Sequence, residues 1–302
     1  MTRFNRVYTL IIGSKGSPTA VQITDLRVRF DIDKTITPWP NRSRIQIYNL
    51  KVEHREEFEK PDTYVALYAG YLEENGPVLL FSGDVSYAFS EIASEQGEVI
   101  TTLELGDGHV PMRDGIVSIS YGVNASAKKI LNVVATQMGL ALYMDVTLTD
   151  KIWNNGFSSH GSGRNALERI CAAAGWEWSI QNNVIQVVAR GKTTQRQIIV
   201  LDASSGLIGY PRRERKFPPR ASETGVTRTQ RTPHSPYRRI DGWRVKSLLL
   251  PGLNPGDPVQ MNSATIKGIF RVERLLHAGD SDGGDWVTEI YIAKTAQGSA
   301  NG

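Results

Sequence analysis

WRVKSLLLPGLNPGDPVQMNSATIKGIFRVERLLHAGDSDGGDWVTEIYI, residues 243–292, carries four strand signals and no helical one. The strand candidates are residues 244–250, 258–262, 268–278 and 286–293. LPGLNPGD supplies the first turn, SATIKG the second and GDSDGGD the third. Glycine reaches the positive φ that tight turns need, and proline fixes φ near the value of a turn start. Phe270 and Val272 sit at period two with the charged Arg271 between them, the mark of a strand with one dry face.

A second strand-rich region opens the chain. Residues 8–12, 21–32, 43–49, 63–71, 79–92 and 98–105 are rich in Val, Ile, Tyr and Thr, and GSKGSP, KTITPWPN, EENGP and ASEQG punctuate them. Regular short strands of this kind build sandwiches or barrels. VEHREEF at 52–58 reads as one short helix, which Pro61 keeps from continuing.

Between the two β regions the pattern changes. Residues 124–138 place apolar side chains at 127, 130, 131, 134 and 138, a helical spacing capped by Asn124 or Ser126 and stopped by Gly139. Residues 162–174 repeat it at 166, 167, 170, 171 and 174, with Ser162 as cap and Gly175 as stop. GLALYMDV between them reads as a strand. WEWSIQ and NVIQVVARG read as a hairpin turning at Gln181, Asn182 and Asn183. The expected class is mainly β, α+β overall. A first β domain spans 1–112, a small α+β domain 113–195, a second β domain 196–295, and a flexible tail 296–302.

The chain has 302 residues, 40% of them apolar and 22% charged, the balance of an ordinary globular protein with a sizeable core. No apolar run approaches the ~18 residues of a membrane span, and no signal-peptide core follows Met1, so a cytoplasmic origin is expected. One cysteine, Cys171, excludes an internal disulfide and a cysteine-based zinc site.

Charge is unevenly placed. Residues 211–239 hold Arg212, Arg213, Arg215, Lys216, Arg220, Arg228, Arg231, Arg238 and Arg239 against Glu214 and Glu223, a local +7 in a chain of net +4. With five prolines and few core formers, this stretch reads as a long basic loop that seeks an acidic partner.

No stretch has a catalytic frame. DSDGGD at 280–285 resembles a calcium loop, but an EF-hand needs ligands where Gly284 and Tyr291 stand, and glycine where Asp285 stands, so a hairpin turn fits better. Ser158, Ser159 and His160 in FSSHGSG read as a loop before a helix, since no G-x-S-x-G frame surrounds them. Asp107 and His109 could be an acid–base pair or part of a turn, and Gly161-Ser162-Gly163 an anion nest or a cap. Trp176 and Trp178 share a strand face, either as a stacking platform or as cover for a helix or subunit contact.

Three groups of motifs, in order, carry a resemblance. The first is RIQIYNL (44–50), VALYAGY (65–71) and LFSGDV (80–85). The second is SAKKILNVVATQMGL (126–140) and GFSSHGSGRNALERICAAAGWEWSIQNNVIQVV (156–188). The third is SSGLIGYP (204–211) followed by the opening stretch. Together they resemble the baseplate hub proteins of contractile-tailed bacteriophages. The resemblance implies two tail-tube-like β-barrel or sandwich domains per chain, so that a homotrimer presents six. It implies a structural ring without enzymatic activity or cofactor. That ring joins the tail tube, or a tube-initiator protein, to the central spike and touches other baseplate proteins, with DNA only in transit through its lumen. The implied location is the virion's tail baseplate, with assembly in the host cytoplasm. The resemblance assigns no role to loop 211–239; from their charge alone its nine basic residues are expected to pin the chain to a neighbouring subunit, the spike or the tube through Arg–carboxylate pairs. The alternatives are a tail-associated cell-wall hydrolase, a DNA-binding protein using loop 211–239, or the hub of a pyocin-like particle.

Overall fold

The computed structural model describes residues 5–14, 20–60, 62–74, 76–93, 97–216 and 240–295. The first part comprises β1 (Arg6–Gly13), β2 (Val21–Ile23), β3 (Val28–Thr35), β4 (Arg42–Tyr48), α1 (Val52–Phe58), β5 (Tyr64–Tyr71), β6 (Gly76–Ile92), β7 (Val99–Gly106) and α2 (His109–Asp114). The middle comprises β8 (Ile116–Tyr121), β9 (Ala125–Ser126), α3 (Ala127–Gln137), β10 (Ala141–Met144), β11 (Ile152–Trp153), β12 (Phe157–Ser162), α4 (Gly163–Ala174), β13 (Trp176–Gln181) and β14 (Val184–Ala189). The last part comprises β15 (Ile199–Leu201), β16 (Leu207–Lys216), β17 (Ile240–Leu248), β18 (Pro258–Asn262), β19 (Lys267–Asp280) and β20 (Trp286–Lys294). The fold is mainly β, as the strand signals require.

The two β regions share one sheet. Its strand order begins β16-β17-β20-β19 and continues β3-β4-β7-β6. Each run takes its strands in chain order first, second, fourth, third, so the wall is an internal tandem repeat. The second layer repeats as well. β5 pairs with the first half of β6, and β18 pairs with the first part of β19. β1 backs β5 and β15 backs β18, antiparallel in one case and parallel in the other. Both long strands pass from second layer to wall through a register shift, between Val85 and Tyr87 in β6 and between Val272 and Arg274 in β19. An extra residue bends a strand and raises its twist, which lets one strand serve two layers.

The repeats join where β19 pairs antiparallel with β3, from Arg274 opposite Thr35 to Asp280 opposite Arg29. Gly279 faces Phe30 here, and a Cβ on it would lie 2.2 Å from the Phe30 ring. The space that this glycine leaves is filled by the Phe30 ring, which meets Trp286 edge-on at 5.2 Å.

Three apolar cores result. One lies under the first repeat and borrows Leu249 and Trp286 from the second. Another lies under the second repeat around Val245, Leu275 and Ile290. The third fills the α+β module, where Ile130, Leu131 and Val134 of α3 meet Leu167 and Ile170 of α4. Ser126 caps α3 by accepting from the Lys129 N–H, and Gly175 ends α4 in the left-handed conformation.

Several local expectations change. The single strand expected over 21–32 is two, β2 in the second layer and β3 in the wall, because the chain turns between layers at residues 24–27. Residues 109–114 are helical. Ser158, Ser159 and His160 lie in β12, paired with β8, and not in a loop. Ser162 occupies the cap position of α4 without a side-chain cap hydrogen bond. Residues 211–216 continue strand β16, paired with β17 through Lys216 opposite Ile240, so the basic stretch begins as a strand.

Candidate assembly surface

One face of the wall packs on the cores and the other is uncovered. Along β3 the burial alternates residue by residue: Val28, Phe30, Ile32 and Lys34 are buried, while Arg29 is exposed and Asp31, Asp33 and Thr35 are partly exposed. The uncovered face is a chequerboard of arginines and carboxylates. Arg274 reaches Asp33 by two hydrogen bonds of 2.8 and 2.6 Å across the junction of the repeats. Arg44 reaches Glu104 at 2.8 Å, and Arg244 pairs with Glu289. Tyr291 sits between Arg244 and Arg274, whose guanidinium carbons lie 5.6 and 5.7 Å from its ring centre. Bidentate and ring-stacked arginines are held more rigidly than lone surface charges.

The wall has two ends. Among the described residues, β16 pairs only with β17, and the Asp84–Ile92 part of β6 pairs only with β7, apart from Asp84 itself. Both ends carry bare apolar side chains: Tyr87 and Ile92 on β6 are 62% and 75% exposed, and Tyr210 on β16 is 76% exposed. An exposed strand edge with apolar studs is an aggregation risk unless another strand covers it.

Of the nine basic residues singled out from the sequence, Arg212, Arg213 and Arg215 lie on β16, and Lys216 ends that strand. Arg213 stacks 4.0 Å over Trp243 and pairs with Asp241, which Arg215 also approaches at 3.6 Å. Arg212 stands opposite Arg244. Arg220, Arg228, Arg231, Arg238 and Arg239 lie outside the described residues, as does most of the loop.

The other weighed residues take the following places in the fold. Asp280–Asp285 is the β19–β20 turn, with the Asp280 carboxylate taken by Arg27 and by the Asp282 N–H. Among the described residues no group of His, Cys, Asp or Glu forms a metal-binding cluster, and no helix is long and apolar enough to cross a membrane. Trp176 and Trp178 are buried in the module core, and Trp178 donates its indole N–H to Glu168 on α4 at 3.3 Å. His109 starts α2. Asp107 is fully buried, and its two oxygens accept the N–H groups of Asn182 and Asn183 at 2.7 and 2.8 Å. Sequence reading missed that role and the Arg274–Asp33 bridge. Both partners are far apart in the chain, and only the paired turn asparagines carried a signal for the first.

Comparison with known proteins agrees with this architecture. The family model described as baseplate hub gp41 matches residues 8–254. No curated protein matches the chain. The chain is similar in fold to the 43 kDa tail protein of prophage MuSo2 from Shewanella oneidensis, with a TM-score of 0.61, 9% identity, and 95% of this chain and 96% of that one covered. A tail protein from Neisseria meningitidis MC58 gives a TM-score of 0.61 at 9% identity over 96% of each chain. The E. coli c3393 protein, described as a type VI secretion component similar to the phage T4 tail proteins gp27 and gp5, gives 0.60 at 10% identity over 95% of this chain and 77% of that one. At such identities the likeness is one of fold, and the family model is what assigns membership: the chain belongs to the baseplate hub gp41 family.

Proposed function

We propose that three copies of this chain close into a ring that forms the structural hub of a tail baseplate, seats the central spike and joins it to the tail tube. The observation that carries this reading is the tandem repeat with two bare ends. Within the chain, the second half of β19 pairs with β3. Their counterparts in the repeat are β6 and β16, the two wall strands with an open edge among the described residues. The edge of β6 in one copy therefore fits β16 of the next as β19 fits β3, a head-to-tail contact that closes by rotation. Eight wall strands per chain give about 24 in a trimer, and at roughly 4.8 Å each a circumference of about 115 Å, wide enough for a central channel.

In this reading the hub sits in the virion baseplate, is assembled in the host cytoplasm, and lets DNA pass through its lumen. The basic residues from Arg212 to Arg239 pin it to an acidic neighbour in the tail through Arg–carboxylate pairs. The test is light scattering on the full chain, alone and with its spike and tube partners. A trimer is expected, and Tyr210→Asp is expected to return it to monomer while circular dichroism is unchanged. Deleting residues 217–239 is expected to leave the trimer and weaken capture of the neighbour. A wild-type chain that stays monomeric with every partner present would end the ring reading.

A further inference from the structure

The two repeats share one strand ladder, β19 with β3, and beside it the Leu249 N–H donates to the Tyr71 hydroxyl at 3.2 Å and the Trp286 indole N–H to the Gly70 carbonyl at 3.3 Å. Adjacent strands twist against each other over a range of tens of degrees, so the angle between the repeats depends on what packs against that ladder. The β13–β14 hairpin of the module lies against both repeats at that place. Its tip is a two-residue turn in which Asn182 and Asn183 both have positive φ, 55° and 60°. Asp107, at the end of β7, holds both N–H groups of that turn. Asn41 donates to the Ile180 carbonyl at 3.1 Å, and Gln181 donates to the Thr35 carbonyl at 2.8 Å. These are contacts to the first repeat.

The same hairpin meets the second repeat. Gln186 of β14 donates to the Pro255 carbonyl at 2.8 Å. Glu177 of β13 pairs at 2.5 Å with Arg271, whose side chain is 1% exposed. Gly256 runs so close that a Cβ on it would lie 3.0 Å from the Gln186 amide. A direct tie joins the repeats beneath it: Lys34 of β3 donates to Asn254 at 3.0 Å. Nearly all these anchors are hydrogen bonds and ion pairs between buried groups. Such bonds hold one geometry, since any other leaves a buried group unpaired at a cost of about 1–3 kcal/mol each.

We infer that the β13–β14 hairpin is a brace that fixes the angle between the two β repeats, with Asp107 as its positioning residue. In the ring, an inference that rests on the proposed function, this angle sets whether three chains meet and close. An aspartate is needed because two N–H donors point at one side chain. Asparagine has one acceptor oxygen, and its NH₂ would face a second donor.

The test is a distance distribution between spin labels on cysteines placed at Glu53, exposed on α1, and Gln260, exposed on β18. Cys171 is buried, and burial pushes its thiol pKa up, so it stays unlabelled. The otherwise native chain is expected to give one narrow peak, lost in Asp107→Asn. Gln186→Leu, which frees the other side of the brace, is the second variant and reads the same property if Asp107→Asn fails to fold. Arg169→Ala, far from the hairpin tip, is the control and keeps the narrow peak. An unchanged narrow peak in the folded brace variants would overturn the inference. A lost peak with a trimer of unchanged mass would keep the brace and remove its part in ring closure. A chain that is monomeric in every form even with its spike and tube partners present, with the peak lost only in the brace variants, would sustain the brace and sink the ring.

Discussion

Lys34 and Asp107 are fully buried, and each is pushed toward its neutral form by burial, Lys34 down to about 8 and Asp107 up to about 6. Their mutual attraction and, for Asp107, the Asn182 and Asn183 N–H groups oppose that push. For Lys34 the folded value is below the unfolded one near 10.5, so its share of stability is present above that pH and is lost as pH falls to about 8. A shift of this size is worth roughly 3 kcal/mol. Lys34→Met should flatten the rise in stability between pH 8 and 10.5 that is expected in urea melts of the wild type; equal slopes in both would contradict the assignment. Asp107 runs the other way. Its favourable share is present below its ordinary carboxylate value and is lost as pH rises to about 6. His277, buried beside Thr288, is held well below the usual imidazole range by burial and then by Lys34, so it stays neutral in the fold and its share of stability is lost as pH falls below the unfolded value near 6.5. None of this was legible in the sequence. Lys34 opens KTITPWPN, which reads as a turn after the strand 21–32, and only the tertiary fold extends β3 through it and puts it on the dry face.

At the scale of elements, the junction of β19 with β3 depends on Gly279. A methyl group there would run into Phe30, and overpacking of a tight core costs about 1–3 kcal/mol. Gly279→Ala is expected to lower stability by that amount in a denaturant melt, and Phe30→Leu in the same chain is expected to recover part of it. Additive losses would mean that the two residues do not share the space. Here the sequence was more informative. The four strands of the opening stretch, helix 52–58, both long helices and the Asn-Asn hairpin are all where periodicity and turn residues put them. What escaped were features that only a partner strand defines: the break between β2 and β3, the bulges in β6 and β19, and the single sheet uniting both β regions. Residues 211–216 escaped for a related reason. Arginines on an uncovered sheet face look like a solvated loop until their cross-strand neighbours are known.

At the scale of the molecule, the described residues form two copies of one β unit, joined on one side and open on both ends. The charged face of the wall is largely neutralised by its own pairs. Asp33→Asn is expected to free Arg274 with a small cost in stability, since exposed pairs contribute about 0–1 kcal/mol, and to raise salt-sensitive binding of duplex DNA by the proposed trimer. Unchanged DNA binding would mean that DNA does not meet this face. The central claim is that β6 of one chain meets β16 of the next. Cysteines placed together at Tyr87 and Tyr210, treated with a short bifunctional thiol reagent and weighed by mass spectrometry, test it directly. The expected product stops at three linked chains, while either cysteine alone gives only unlinked chain. Linked dimers from a single-cysteine chain, or no linkage in the double variant under conditions where the protein is oligomeric, would contradict it.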